Sequence, residues 1–128
     1  MAHDIIGGPL KLADGRVLPL SKAIRAGDFV LLSGQLGLNA EGKLAGADVA
    51  AQTHQAMENI KALLAEAGCG LEHVVKATVW LTDTADFATF NTTYAHYFPS
   101  RPPVRSTVCS ALVLPGARVE IEVMAYVG

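Results

Sequence analysis

An α+β domain built on a single sheet is the fold class this sequence predicts, and three observations carry that prediction. Segments with apolar residues at a period of two, the mark of a strand, occur at both ends of the chain and in its middle. Two other stretches repeat their apolar residues at three and four, the helical spacing. The resulting order is two short strands, a long strand, a helix, a strand, a helix and two strands, with no linker, repeat or low-complexity run. Strands mixed with two helices in this way place both helices on one face of a sheet. The other face is left to water or to partner subunits.

The elements follow in order. LKLADGRVLPL alternates around Asp14-Gly15, a dipeptide suited to the positive φ values of a tight hairpin turn, so two short strands are expected there. FVLLSGQLGL is nearly all apolar and reads as a strand covered on both faces. From about Asp48 to Ala67, residues Val49, Ala56, Met57, Ile60, Leu63 and Leu64 form the apolar stripe of a helix that Gly68 stops. VVKATVWLTD is the next strand, with Val75, Ala77, Val79 and Leu81 on one side. Asp83 or Thr84 caps a second helix, whose Phe87, Phe90, Tyr94 and Tyr97 recur at three and four before Pro99, Pro102 and Pro103 end it. VRSTVCSALV, a turn around Leu114-Pro115-Gly116-Ala117, and RVEIEVMAYV close the chain as a strand pair. In the last strand Val119, Ile121, Val123 and Ala125 share an apolar face. Glu120, Glu122, Met124 and Tyr126 share a mixed one.

Composition narrows the function classes. The 128 residues are 51% hydrophobic and only 17% charged, enough for one core. A mean hydropathy of +0.32 leaves apolar surface that an oligomer would cover. A net charge of -2 with scattered Lys and Arg offers no basic stripe for phosphates, so nucleic acid is not the expected partner. MAHDIIGGPLKL has no cationic start leading into an apolar run, and no segment approaches a membrane span. Cytoplasm is the expected compartment. Cys69 and Cys109 are too few for a disulfide framework and read as small buried hydrophobes.

No cofactor signature is present: the glycines of ALAEAGCGLEH lack the spacing of a phosphate loop or dinucleotide fingerprint. Metal is not expected either, because His54 and Glu58 share a helical face without the further ligands a metal site needs. Cys109 has no histidine pointed to as its base. Arg105 is the most suggestive polar residue, a guanidinium inside a strand-like segment just after Pro102-Pro103. Such a group needs an anion, and its planar fork suits a carboxylate. Ligand binding and a structural ion pair with Glu120 or Glu122 both remain open here. A hairpin centred between Pro115 and Gly116 would set Arg105 opposite Tyr126, Glu120 opposite Ala111 and Glu122 opposite Cys109. That register sets Arg105 several positions from Glu120 within one chain, which weakens the structural pair, though the two could still meet across a subunit boundary.

From near Pro19 to the end the chain resembles the Rid (reactive intermediate deaminase, YjgF) family. The likeness rests on the SGQ of LLSGQLGLN, AAQTHQAMENIKALLAEAG, VVKATVWLTDTADFATFNTTY, the RS of PPVRSTV, and VEIEVMA, in that order and spacing. The resemblance implies a chorismate-mutase-like α+β fold related to the ferredoxin-like class: a single domain over 1–128, with a mixed, mostly antiparallel sheet and two helices on one face. It also implies a homotrimer with active sites between subunits. The activity implied is hydrolytic deamination of enamines and imines such as 2-aminoacrylate to 2-oxo acids and ammonia, of the 2-iminobutanoate/2-iminopropanoate deaminase kind, with no metal or cofactor.

Transferred to this chain, the resemblance makes Arg105 the residue that grips the substrate carboxylate and Glu120 the acid that positions or activates water. Ser33 and Gly34 match the pocket's SG, and Asn91 matches an asparagine of the second helix. Two positions depart from the pattern: Leu20 stands where a pocket tyrosine is usual, and Thr107 where a pocket cysteine is usual. Both would line the substrate site and alter its range. Two other functions stay in view, a trimeric small-molecule or partner-binding module with little turnover, and an endoribonuclease or translation inhibitor.

Overall fold

The structure, a computed structural model, describes residues 3–128. Among these, one seven-stranded sheet is formed by β1 (Asp4–Lys11), β2 (Val17–Ala26), β3 (Phe29–Leu32), β4 (Gln35–Leu36), β5 (Val74–Leu81), β6 (Val104–Cys109) and β7 (Val119–Tyr126). Helix α1 (Val49–Glu66) lies between β4 and β5, and α2 (Phe87–Ala95) between β5 and β6. The order across the sheet is β1-β2-β3-β7-β5-β6, with β4 also pairing with β7. All pairings are antiparallel except β5 with β6, so the expected single α+β domain with a mixed, mostly antiparallel sheet is found.

Local chemistry accounts for the element boundaries. The β1–β2 turn is closed by Asp14, whose side chain accepts from the Arg16 backbone at 3.0 Å and from its guanidinium at 2.7 Å. Asp48 caps α1 by accepting from Ala51 N at 2.7 Å. Gly68, at φ +82°, provides the left-handed residue that ends the helix. α1 turns Ala56, Met57, Ile60 and Leu64 into the core, all fully buried against Val119, Ile121, Val123 and Ala125 of β7 and their neighbours. α2 adds Phe90 and Tyr94 to the same core, so both helices cover one face of the sheet.

Three expectations are corrected. The long strand breaks at Ser33-Gly34 into β3 and β4, and Phe29 and Leu31 are each 41% exposed, so only one face of it is covered within the chain. Val75 is exposed, whereas Val74 is buried, because the β5–β7 register shifts between Val74 and Lys76. A bulge of this kind moves a side chain to the opposite face. The third correction matters most: β6 and β7 are not a hairpin. The segment 110–118 carries the chain past β5, so β5 lies between them, with Arg105 opposite Ala77, Glu122 opposite Thr78 and Glu120 opposite Trp80. A Leu-Pro-Gly-Ala turn is compatible with a tight hairpin, but it does not require the flanking strands to pair.

Buried polar side chains hold the connections. Gln52 is wholly buried and satisfied: its amide donates to the carbonyls of Gly46 and Gly116 and accepts from Arg118 N. This fastens the 110–118 crossing to α1. Arg118 is paired with Asp86 at 2.8 Å, which anchors the start of β7 to the turn before α2.

Candidate functional site

The alternation of β6 sets Arg105 and Thr107 opposite Ala77 and Val79, which are fully buried beneath the helices. Paired residues on neighbouring strands share a face. Arg105 therefore lies on the helix side, at an edge strand. α2 runs past it and brings three rings to the guanidinium, whose carbon is 5.0 Å from the Tyr94 ring centre, 5.4 Å from Phe90 and 5.8 Å from Phe87. The ion pairs among the described residues are Asp14–Arg16, Glu58–Lys61, Glu72–His73 and Asp86–Arg118, so Arg105 has no carboxylate partner among the described residues. The structural pairing with Glu120 or Glu122 is not formed. Thr107 presents a buried hydroxyl with no hydrogen-bond partner, and Asn91, half-buried, follows Phe90 on α2.

Glu120 stands on the other face of the sheet. Its cross-strand neighbours are Trp80 on β5 and Leu36 on β4. Its carboxylate lies directly over Gly34: a Cβ at that glycine would fall 2.3 Å from Oε2, closer than any side chain tolerates. The absence of a side chain at Gly34 is what admits the carboxylate. Ser33 donates its hydroxyl to the carbonyl of Ser21 at 2.6 Å, leaving its oxygen lone pairs free to accept. Leu20, immediately before Ser21, is 41% exposed. Burial raises the pKa of the Glu120 carboxyl, and the nearby Glu122 charge adds to that rise.

The expected site residues thus fall into two groups. Leu20, Ser33, Gly34 and Glu120 gather around the β3–β4 break, while Asn91, Arg105 and Thr107 gather where β6 meets α2. One chain does not join them. The sheet lies between, with Arg105 on the covered face and Glu120 on the uncovered one. That uncovered face also carries exposed Phe29, Leu31, Tyr126, Val104 and Val108. Beside Glu122, a shallow depression is lined by Leu31, Lys76, Thr78 and Met124.

The environment of Arg105 was only half visible in the sequence. Phe87, Phe90 and Tyr94 read as the apolar stripe of a helix, which is true of Phe90 and Tyr94, but Phe87 is 45% exposed and faces the arginine. The signal available was an aromatic run at i, i+3 and i+7 on the helix that precedes the arginine's strand. Cys109, expected to be buried, is exposed at the end of edge strand β6, and Cys69 is half-buried; both are free thiols. His54 and Glu58 are engaged with Tyr97, whose hydroxyl donates to Glu58 at 2.9 Å and meets His54 Nδ1. Among the described residues, no group of three or more His, Cys, Asp or Glu side chains is arranged to hold a metal ion, and no helix is long and apolar enough to cross a membrane.

Residues 15–127 match the family model described as endoribonuclease L-PSP, that of the YjgF/Rid proteins. The chain belongs to the Rid family. Relatives of this Rid chain include the 2-iminobutanoate/2-iminopropanoate deaminase of Bos taurus, 42% identical over 117 residues that span 91% of this chain and 85% of the bovine protein. Protein DfrA of Myxococcus xanthus is 43% identical over 110 residues, 84% of each chain. Among solved structures, the Rid family protein YyfA of Yersinia pestis superposes with a TM-score of 0.88 at 37% identity, covering 98% of this chain and 100% of that one. The Rid match spans the β3–β4 break, α2, β6 and β7, so both groups of candidate site residues lie within it.

Proposed function

We propose that this protein hydrolyses enamine and imine carboxylates of the 2-aminoacrylate type to 2-oxo acids and ammonia, in clefts that form between copies of the chain in a homotrimer. One observation carries the reading. Arg105 and Glu120, the two groups such chemistry needs, stand on opposite faces of one sheet, each without an ion-pair partner among the described residues. A second copy whose edge strand β6 approaches the uncovered face would bring its Arg105 to a resident Glu120. The exposed apolar side chains of that face supply the driving force for assembly. The bovine relative's name, 2-iminobutanoate/2-iminopropanoate deaminase, supports the substrate class.

The chemistry follows from the two groups. Arg105 receives the substrate carboxylate through a pair of charge-assisted hydrogen bonds and fixes the imine carbon in the cleft. An enamine first takes a proton at its terminal carbon, giving the iminium, which becomes the imine by releasing an N–H proton to solvent. Burial favours the protonated form of Glu120, so its carboxyl can donate to the imine nitrogen and then, as carboxylate, take a proton from an attacking water. The water oxygen bonds to the imine carbon to give a carbinolamine; Glu120 then gives its proton to the nitrogen and takes the hydroxyl proton, so the C–N bond breaks, the nitrogen leaves as ammonia and the oxygen becomes the keto group. Gly34 and Ser33 present a backbone group and a free lone pair beside this water. Imine hydrolysis is already fast in water, so a site of few residues suffices.

The test is to generate 2-aminoacrylate in place from a suitable amino acid and follow its loss and the release of ammonia, with RNA incubated in parallel. Loss faster than in buffer, with RNA intact, supports the reading. Loss at the buffer rate contradicts it and favours the binding module, for which the unpartnered Thr107 hydroxyl and exposed Leu20 are the supporting features. RNA cleavage by purified protein would favour the endoribonuclease reading.

A further inference from the structure

We infer that the rings of Phe87, Phe90 and Tyr94 are positioning residues: together they form a cradle that aims Arg105 while leaving its charge free for a ligand. The inference rests on the carboxylate-gripping role proposed above for Arg105. An arginine half-buried at a strand edge usually finds a carboxylate, which fixes it but also neutralises it. A ligand would then have to displace that partner. Here three aromatic faces surround the guanidinium at 5.0 to 5.8 Å, and no described acid bonds to it. The negative ring faces attract the cation without forming hydrogen bonds, so its N–H groups stay available.

The geometry is rigid where rigidity helps. Phe90 is fully buried, and the Tyr94 ring packs, tilted, between Phe90 and Phe98 at centroid distances of 5.2 and 4.9 Å. Two of the three cradle walls are therefore fixed by the core. The third, Phe87, is 45% exposed and can be changed without disturbing the core. The Tyr94 hydroxyl is buried with no hydrogen-bond partner among the described residues, so Tyr94→Phe separates the contribution of the ring from that of the hydroxyl.

The experiment compares wild type with Phe87→Leu, Tyr94→Leu and Tyr94→Phe, titrating 2-oxobutanoate as a carboxylate probe and following the Arg105 Nε–H resonance. In parallel, KM and kcat are measured for imine generated in place, and each variant's melting midpoint is recorded. Phe87→Leu changes an exposed ring and keeps the core, so it remains informative if Tyr94→Leu fails to fold. The expected result is that Phe87→Leu and Tyr94→Leu weaken probe binding and raise KM by about fivefold each, with smaller changes in kcat, and that both move the Arg105 resonance. Tyr94→Phe, which keeps the ring, binds as wild type does. Binding and resonance unchanged in folded Phe87→Leu would overturn the cradle. If wild type consumes no imine above buffer, the deaminase reading fails, and the titration and resonance still decide the cradle.

Discussion

Arg105 and Glu120 sit on opposite faces of the same sheet, on strands β6 and β7 that are separated by β5. The separation is built into the register. Arg105 pairs with buried Ala77, and Glu120 pairs with Trp80 on the uncovered side. No side-chain rotation within one chain can carry either group through the sheet, so any chemistry that uses both must involve more than one copy.

Assembly is the first consequence. The uncovered face should bury Phe29, Leu31 and Tyr126 against neighbouring copies, and light scattering should give three times the 13.4 kDa chain mass. Leu31→Glu places a charge in that interface and should dissociate the trimer at micromolar concentration. A monomeric mass for wild type would show that the face serves something else.

Gly34 gives the second. An alanine there puts a Cβ 2.3 Å from Glu120 Oε2, but the atom it meets is the far end of a flexible side chain. Gly34→Ala should therefore move the carboxylate without unfolding the protein. kcat should fall by about tenfold or more with the melting midpoint within a few degrees of wild type. Unchanged kcat would remove Glu120 from the mechanism.

A pH dependence follows from Glu120. Its pKa is raised first by burial and second by Glu122, so Glu122→Gln should lower it and move the alkaline limb of the kcat profile, where the donating acid is lost, to lower pH. The stability sign is opposite to that of an ion-paired acid. A folded pKa above the unfolded value means that the native state binds the proton more tightly, so stability falls as pH rises from the unfolded pKa through the folded one. Glu120→Gln should accordingly raise the melting midpoint at neutral pH and not at acid pH, while activity is lost. A midpoint that drops at neutral pH would indicate a structural role for the carboxylate.

Charge alone should not replace Arg105. Arg105→Lys keeps a cation but loses the planar fork and its fit to the ring faces. It should lower kcat/KM for carboxylate imines by about tenfold or more, chiefly through KM, and equal kinetics would contradict bidentate capture.

Much of this was legible in the sequence, because period and punctuation act locally. The period of two in β7, the apolar stripe of α1 between Asp48 and Gly68, and the mixed face holding Glu120 and Glu122 all appear as read. The partner of a strand is a different kind of information. VRSTVC and VEIEVMAY are compatible with a hairpin through Leu114-Pro115-Gly116-Ala117, and only tertiary packing, with Gln52 holding the Gly116 carbonyl against α1, sends β5 between them. Val75 misled for a similar reason, since a bulge leaves no mark in the hydrophobic period. For the candidate site, the sequence separated Arg105 from Glu120 through a hairpin register that does not form; in the structure Leu20, Ser33 and Gly34 join Glu120, whereas Asn91 and Thr107 join Arg105 on the other face of the sheet. The helical period of Phe87, Phe90 and Tyr94 located their face but not the cation set against it.

The central claim is that each site takes its arginine from one copy and its glutamate from another. Arg105→Ala and Glu120→Gln chains, each inactive alone, should be unfolded together, refolded as mixed trimers and assayed on imine generated in place. With random mixing, about one quarter of the clefts combine an intact Arg105 with an intact Glu120, so about a quarter of wild-type activity should return. Mixed trimers that stay as inactive as their parents, while wild type put through the same refolding recovers, would contradict a site shared between copies.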